Sequence, residues 1–278
     1  MNARLLFILL LFTIGALWYI IGYWRRKAGE AAFAAARLTE KSEERERYCR
    51  LAVMAGHRKA CRMFCLLHPE RFDGHSPHKP FKLRGIRISF CGYYYPSRYN
   101  ALLNDEQKAF CHSIYQFKQG DIHGIEFFKT CMNALQLKKR PYHIMFMPCS
   151  NWIKYGQRFK RLDWYIGKHR QDLTSGLYDV DICDARESLH EAKGGEKRIL
   201  ERNYLITGKI KGKEIIIIDD VLTTGQSVVD YKEEIERCGG KVVAAIFYGK
   251  TLSMPSMLLV QIHVWGNHIA HIIERMTK

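Results

Sequence analysis

Two adjacent carboxylates, Asp219 and Asp220, follow four aliphatic residues and precede a run of small residues, Thr223, Thr224, Gly225, Gln226 and Ser227. The aliphatic run 215–218 has no polar alternation, which predicts a central strand covered on both faces. In a parallel sheet the carboxyl end of such a strand opens onto the ligand crevice, so the acid pair stands where the hydroxyl groups of a ligand can be held. The small residues after it let backbone N–H groups converge on a phosphate. A helix predicted to begin there adds unpaired N–H donors and a partial positive charge. Val228, Tyr231, Ile235 and Cys238 share one face of that helix, and Gly239 and Gly240 stop it. The bland alternative is an ordinary strand-to-helix junction in which Asp and Thr only cap the helix.

The elements that must position this junction alternate along the chain. Short apolar runs at 86–90, 143–147, 177–182, 214–220 and 241–248 are separated by helical patterns at 104–137, 152–169 and 226–238. Strands alternating with helices predict an α/β domain, residues 86–278, with a central, mostly parallel sheet flanked by helices. The segment LLVQIHVW near the carboxyl end reads as an edge strand.

The first 85 residues read differently. Residues 5–24 carry no charge and are about as long as the 20 residues that span a bilayer, so residues 1–27 are expected to form a transmembrane anchor. Arg25, Arg26 and Lys27 follow the apolar stretch and only Arg4 precedes it, which places the rest of the chain on the cytoplasmic side of the inner membrane as a single-pass protein. Residues 28–68 are rich in Ala, Glu, Arg and Leu and predict a helical hairpin broken near Gly56. Residues 69–85 hold three of the seven prolines and read as a linker. The nine cysteines show no CxxC pairs, as expected of reduced thiols. His57, Cys61, Cys65 and His68 share a helix face, but span too many turns for one metal to reach them all. A formal charge of +16 implies polyanionic company, whether acidic lipid, nucleic acid or a phosphorylated small molecule.

The joint pattern IIIIDDVLTTGQS resembles the phosphoribosyl pyrophosphate (PRPP) motif of type I phosphoribosyltransferases. Within that superfamily the chain is similar to the ComF family over roughly residues 90–251. YYYPSRYNALL, FKQGD, IMFMPCS, YGQRFKRLD and HEAKGGEKRILERN fall in the family's order, and the hairpin resembles a single Sel1-type repeat. The resemblance implies a type I phosphoribosyltransferase fold and a transferase releasing pyrophosphate from Mg-PRPP. In its terms Asp219 and Asp220 hold the ribose hydroxyls, with Mg²⁺ nearby and indirectly bound, and 223–227 cradle the 5′-phosphate. Ser150 and Lys154 form the pyrophosphate side. Lys197 and Arg198 act at the reaction centre from a flexible loop that also carries Lys193 and Arg202. Two departures stand out: the cysteine zinc knuckle common in ComF proteins is absent, and Lys160 replaces a polar amide. The alternatives to an enzyme are a PRPP or nucleotide binder without turnover, a competence-type partner contacting single-stranded DNA, and a membrane scaffold. A homodimer is compatible with each.

Overall fold

The computed structural model describes residues 3–120, 123–182 and 203–277. In chain order the helices and strands are α1 (Ala3–Leu38), α2 (Ser42–Met54), α3 (Arg58–Leu67), α4 (Pro69–Asp73), β1 (Phe81–Leu83), β2 (Ile86–Tyr94), α5 (Asp105–Lys118), α6 (His123–Leu135), β3 (Tyr142–Phe146), α7 (Trp152–His169), β4 (Leu173–Ser175), β5 (Val180–Ile182), β6 (Tyr204–Ile206), β7 (Glu214–Leu222), α8 (Gln226–Arg237), β8 (Lys241–Thr251) and α9 (Met257–Met276). They divide into two compact units. One comprises 1–74, 101–103 and 253–278; the other comprises 75–100 and 104–252.

The larger unit is built on a six-stranded sheet in the order β1-β2-β8-β7-β3-β4. Every pairing in it is parallel except β1 with β2. The α/β expectation therefore holds, as a mixed sheet of mostly parallel strands flanked by helices. Ile215, Ile216, Ile217 and Ile218 are all fully buried, because β7 lies between β8 and β3 and is covered on both faces. Ile216 and Ile218 join a core with Ile114 and Phe117 of α5, Phe127 and Phe128 of α6, and Tyr155 and Phe159 of α7. On the opposite side Ile215 meets Ile235 of α8 around Gly240, where an added Cβ would lie 2.6 Å from Ile215.

Three expectations are corrected here. The linker 69–85 contains α4 and an antiparallel edge strand, β1. The run 177–182 does not enter the main sheet: β4 pairs with β3, while β5 and β6 form a separate two-stranded ribbon. The tail is a helix rather than an edge strand. Ser256 accepts a hydrogen bond from the Leu259 N–H as its N-cap, and the buried pair Val260 and Val264 has helical spacing.

In the smaller unit Phe33 and Ala36 of α1, Ala52 and Val53 of α2, Cys61, Phe64 and Cys65 of α3, and Val260 and Val264 of α9 form one core. His57 caps α3 by accepting from the Ala60 N–H, so its place is structural, and Cys61 and Cys65 are buried thiols. Among the described residues the expected transmembrane helix is not found. The apolar stretch is the first part of α1, which runs unbroken through Arg25, Arg26 and Lys27, with Lys27 paired to Glu30 one turn on. Among the described residues no helix is long and apolar enough to cross a membrane. Large apolar side chains along it, such as Phe12, Leu17, Trp18 and Trp24, are exposed.

Candidate functional site

The acid pair lies inside β7 rather than at its end, because the strand continues to Leu222 beside β8. On its other side β3 stops level with Ile218, where the Met147 N–H donates to the Ile218 carbonyl at 2.9 Å. From Asp219 onward that flank of β7 therefore has no strand partner. The chain leaving β3 turns there through Pro148, Cys149 and Ser150 into α7. Asn151 caps this helix, its side chain accepting from the Lys154 N–H at 2.9 Å. Asn203 steadies the turn by donating to the Cys149 carbonyl at 3.2 Å.

Two cations fill the open flank. Arg158 Nη1, from the second turn of α7, lies 3.4 Å from Asp219 and 3.2 Å from Asp220. Lys118 Nζ, from the last turn of α5, lies 3.1 Å from Asp220. The backbone contributes as well: the Asp220 N–H donates to Asp219 Oδ1 at 2.8 Å and the Val221 N–H to Asp220 Oδ1 at 2.6 Å. Burial, followed by the negative charge of Asp220, pushes the Asp219 carboxyl up to about 8. Burial also pushes Asp220 upward, but the charges of Arg158 and Lys118 overcome it and hold this carboxyl below the usual range. One proton and one negative charge are thus divided unequally between neighbours, a pattern that accompanies functional sites as well as structural ion pairs.

The residues expected to cradle a phosphate follow directly. Thr223, Thr224, Gln226 and Ser227 are exposed, and Gly225 is buried in the left-handed conformation, φ 79°. A Cβ on Gly225 would lie 2.3 Å from a Leu83 methyl, so both the turn and the packing require glycine. Gly225 occupies the N-cap of α8 and has no side chain to satisfy the first-turn N–H groups. The Thr224 hydroxyl accepts from the Gln226 N–H at 3.4 Å. The Gln226 side chain is drawn aside, accepting from Arg84 at 2.8 Å and donating to Asp230 at 2.6 Å.

Ser150 stands in the turn after β3, the strand next to β7, and Lys154, exposed, in the first turn of α7. Lys193, Lys197, Arg198 and Arg202 lie outside the described residues. Three cations escaped the sequence reading as site members. Arg158 and Lys118 sit in segments noted only for their motif order, and Arg84 sits at the turn between β1 and β2, inside what read as a linker. Tyr115, half exposed, joins this edge: its hydroxyl is 3.3 Å from that of Tyr94, and Lys118 lies 5.9 Å from its ring centre.

Among the described residues no group of three or more acidic, His or Cys side chains could enclose a metal ion. Two carboxylates already engaged by cations suit Mg²⁺ held mainly by water and ligand phosphates rather than by a protein cage.

Comparison with known proteins bears on the class of this site: residues 171–251, which include the acid pair and the phosphate turn, match the model of the phosphoribosyl transferase domain. The matched segment is similar to part of a phosphoribosyltransferase. Over 57 residues the chain is also 42% identical to an orotate phosphoribosyltransferase of Sulfolobus acidocaldarius, a stretch covering 20% of this chain and 26% of that protein. The chain thus aligns with about a quarter of the relative's length. Within the matched segment, β7 and α8 supply the acid pair and the turn before the helix. Lys118 and Arg158 reach the same acids from residues that precede the matched segment.

Proposed function

We propose that the domain binds Mg-PRPP and transfers its phosphoribosyl group to an acceptor, releasing pyrophosphate. The observation that carries this reading is the succession of two largely buried carboxylates on one central strand and a glycine-initiated helix N-terminus directly after it. The carboxylates accept from ribose hydroxyls, and the N–H groups from 224 to 227 donate to the 5′-phosphate. Ser150 and Lys154 serve the pyrophosphate, with Lys193, Lys197, Arg198 and Arg202 closing over it. As C1 of the ribose loses pyrophosphate, positive charge builds on the ring, and the acid pair is the nearest stabilising charge. Mg²⁺ neutralises the leaving group as a Lewis acid when bound. The aligned relative's name puts orotate first among acceptors to try, and the Tyr115 ring offers a face for a planar base.

A second reading is PRPP binding without turnover, as in a ComF-like partner of DNA uptake or processing. It is favoured by the ion pairs from Arg158 and Lys118, which already satisfy the acids. Both readings are tested on the full chain by titrating Mg-PRPP calorimetrically. Saturable binding that disappears in Asp219→Asn/Asp220→Asn supports the site, and its absence from the folded wild type overturns both. Pyrophosphate release on adding orotate or other bases separates enzyme from binder. Attachment to the inner membrane belongs to the same proposal, supported by the exposed apolar residues of α1 beside Arg25, Arg26 and Lys27. Recovery in the soluble fraction after cell lysis without detergent would argue against it.

A further inference from the structure

α7 has a second working face. Arg158 looks toward the acid pair, whereas Gln157, Lys160, Arg161 and Trp164 line a cleft of about 670 Å³ completed by Trp152 and Tyr178. Its floor is shaped by a close approach: Gly120, at φ 85°, abuts α7 so tightly that an added Cβ would lie 2.2 Å from the Gln157 carbonyl. The volume falls within the range of small-molecule sites. Trp152 is stacked on the buried Tyr155 ring at 5.3 Å and stands 6.2 Å from Tyr178, yet 42% of its surface is exposed. Trp164 and Tyr178 are more exposed still, at 56% and 66%. Three large aromatic rings are therefore presented to solvent around one cavity, which a folded domain ordinarily avoids.

The chemistry of the rim narrows the occupant. Lys160 and Arg161 are exposed and have no carboxylate partner among the described residues. The Gln157 amide offers both a donor and an acceptor at the same wall. A purely apolar ligand would leave the two cations without purpose, and a bare anion would leave the rings without one. A planar base carrying a phosphate uses all three kinds of group: rings for stacking, amide for the base edge, cations for the phosphate.

We propose that this cleft is a nucleotide-binding site distinct from the PRPP site, with the base stacked on Trp164 and the phosphate on Lys160 and Arg161, which lie one turn before it on α7. A free mononucleotide and one residue of a single-stranded nucleic acid present the same chemistry, and the cleft's volume fits one nucleotide.

The test titrates the full chain with uridine 5′-monophosphate, uridine, inorganic phosphate and a short oligothymidylate, by calorimetry. Saturable binding of the monophosphate is expected, with uridine and phosphate each weaker by about tenfold or more. Trp164→Ala and Lys160→Gln/Arg161→Gln should each weaken it by about the same factor while Mg-PRPP binding persists. Asp219→Asn/Asp220→Asn should do the reverse, so failure of this site and failure of the PRPP reading are separable. Oligothymidylate binding lost in the same cleft variants, alongside monophosphate binding, identifies nucleic acid as a source. Absence of monophosphate binding, binding indifferent to the cleft variants, or binding lost with the acid pair overturns the proposal.

Discussion

Arg158 Nη1 lies 3.2 Å from Asp220 Oδ2, with the two side chains only 18% and 10% exposed, and the same nitrogen reaches Asp219 at 3.4 Å. One guanidinium on a helix thus reaches both neighbouring carboxylates of β7 where the strand has lost its β3 partner.

Removing this cation strands two buried acids with Lys118 alone. Arg158→Gln is expected to destabilise the fold by about 3 kcal/mol, as for a broken buried ion pair. Urea unfolding of the variant against wild type measures it. Adding Asp220→Asn should recover part of the loss, since the carboxylate that carries the negative charge of the pair is then gone. A change under 0.5 kcal/mol in Arg158→Gln would show that the contact is not formed.

The acid pair also sets a pH dependence. Asp219 titrates higher in the folded chain than in the unfolded one, so between the ordinary carboxylate range and about pH 8 the folded state holds a proton that the unfolded state has lost. Its contribution is complete at low pH and declines as pH rises through the folded value. Asp220 behaves oppositely: its contribution is present above the ordinary range and is lost as pH falls through its depressed folded value. Between pH 5 and 9 the urea midpoint of wild type should therefore fall with a component that Asp219→Asn abolishes. Equal slopes in the two proteins would refute the assignment.

Gly225 combines a left-handed backbone with a contact that admits no Cβ. Gly225→Ala should cost about 1–2 kcal/mol from the backbone alone, with a further loss from Leu83, and should weaken Mg-PRPP binding by about tenfold or more. Leu83→Ala in the same chain relieves the clash but not the backbone strain. Stability should return further than affinity.

The smaller unit tests the reassigned tail. Val264 is buried with Phe64 and Val53, so Val264→Asp places a charge in that core. Faster proteolysis within 253–256 than in wild type is expected. An unchanged cleavage rate would mean that α9 is not docked there.

Much of this architecture was legible because its signals are local. Four consecutive isoleucines specify a doubly covered strand, Gly225 specifies the turn, and the spacing of Val228, Tyr231 and Ile235 specifies the helix behind it. The cations were not legible as site members, because Arg158 meets Asp219 across 61 residues and nothing in the intervening chain announces the contact. LLVQIHVW was ambiguous for a different reason: a short apolar run suits a strand or a helix, and only Ser256 and the Val260–Val264 spacing decide between them.

The smaller unit is assembled from segments on both sides of the larger one. On a ribosome, α1, α2 and α3 emerge first but must wait for α9, which supplies Val260 and Val264 only after every strand of the sheet has been made. The larger unit needs no residue beyond Leu252, whereas the helical unit leaves apolar faces of α1, α2 and α3 unpartnered until the last turns of the chain arrive.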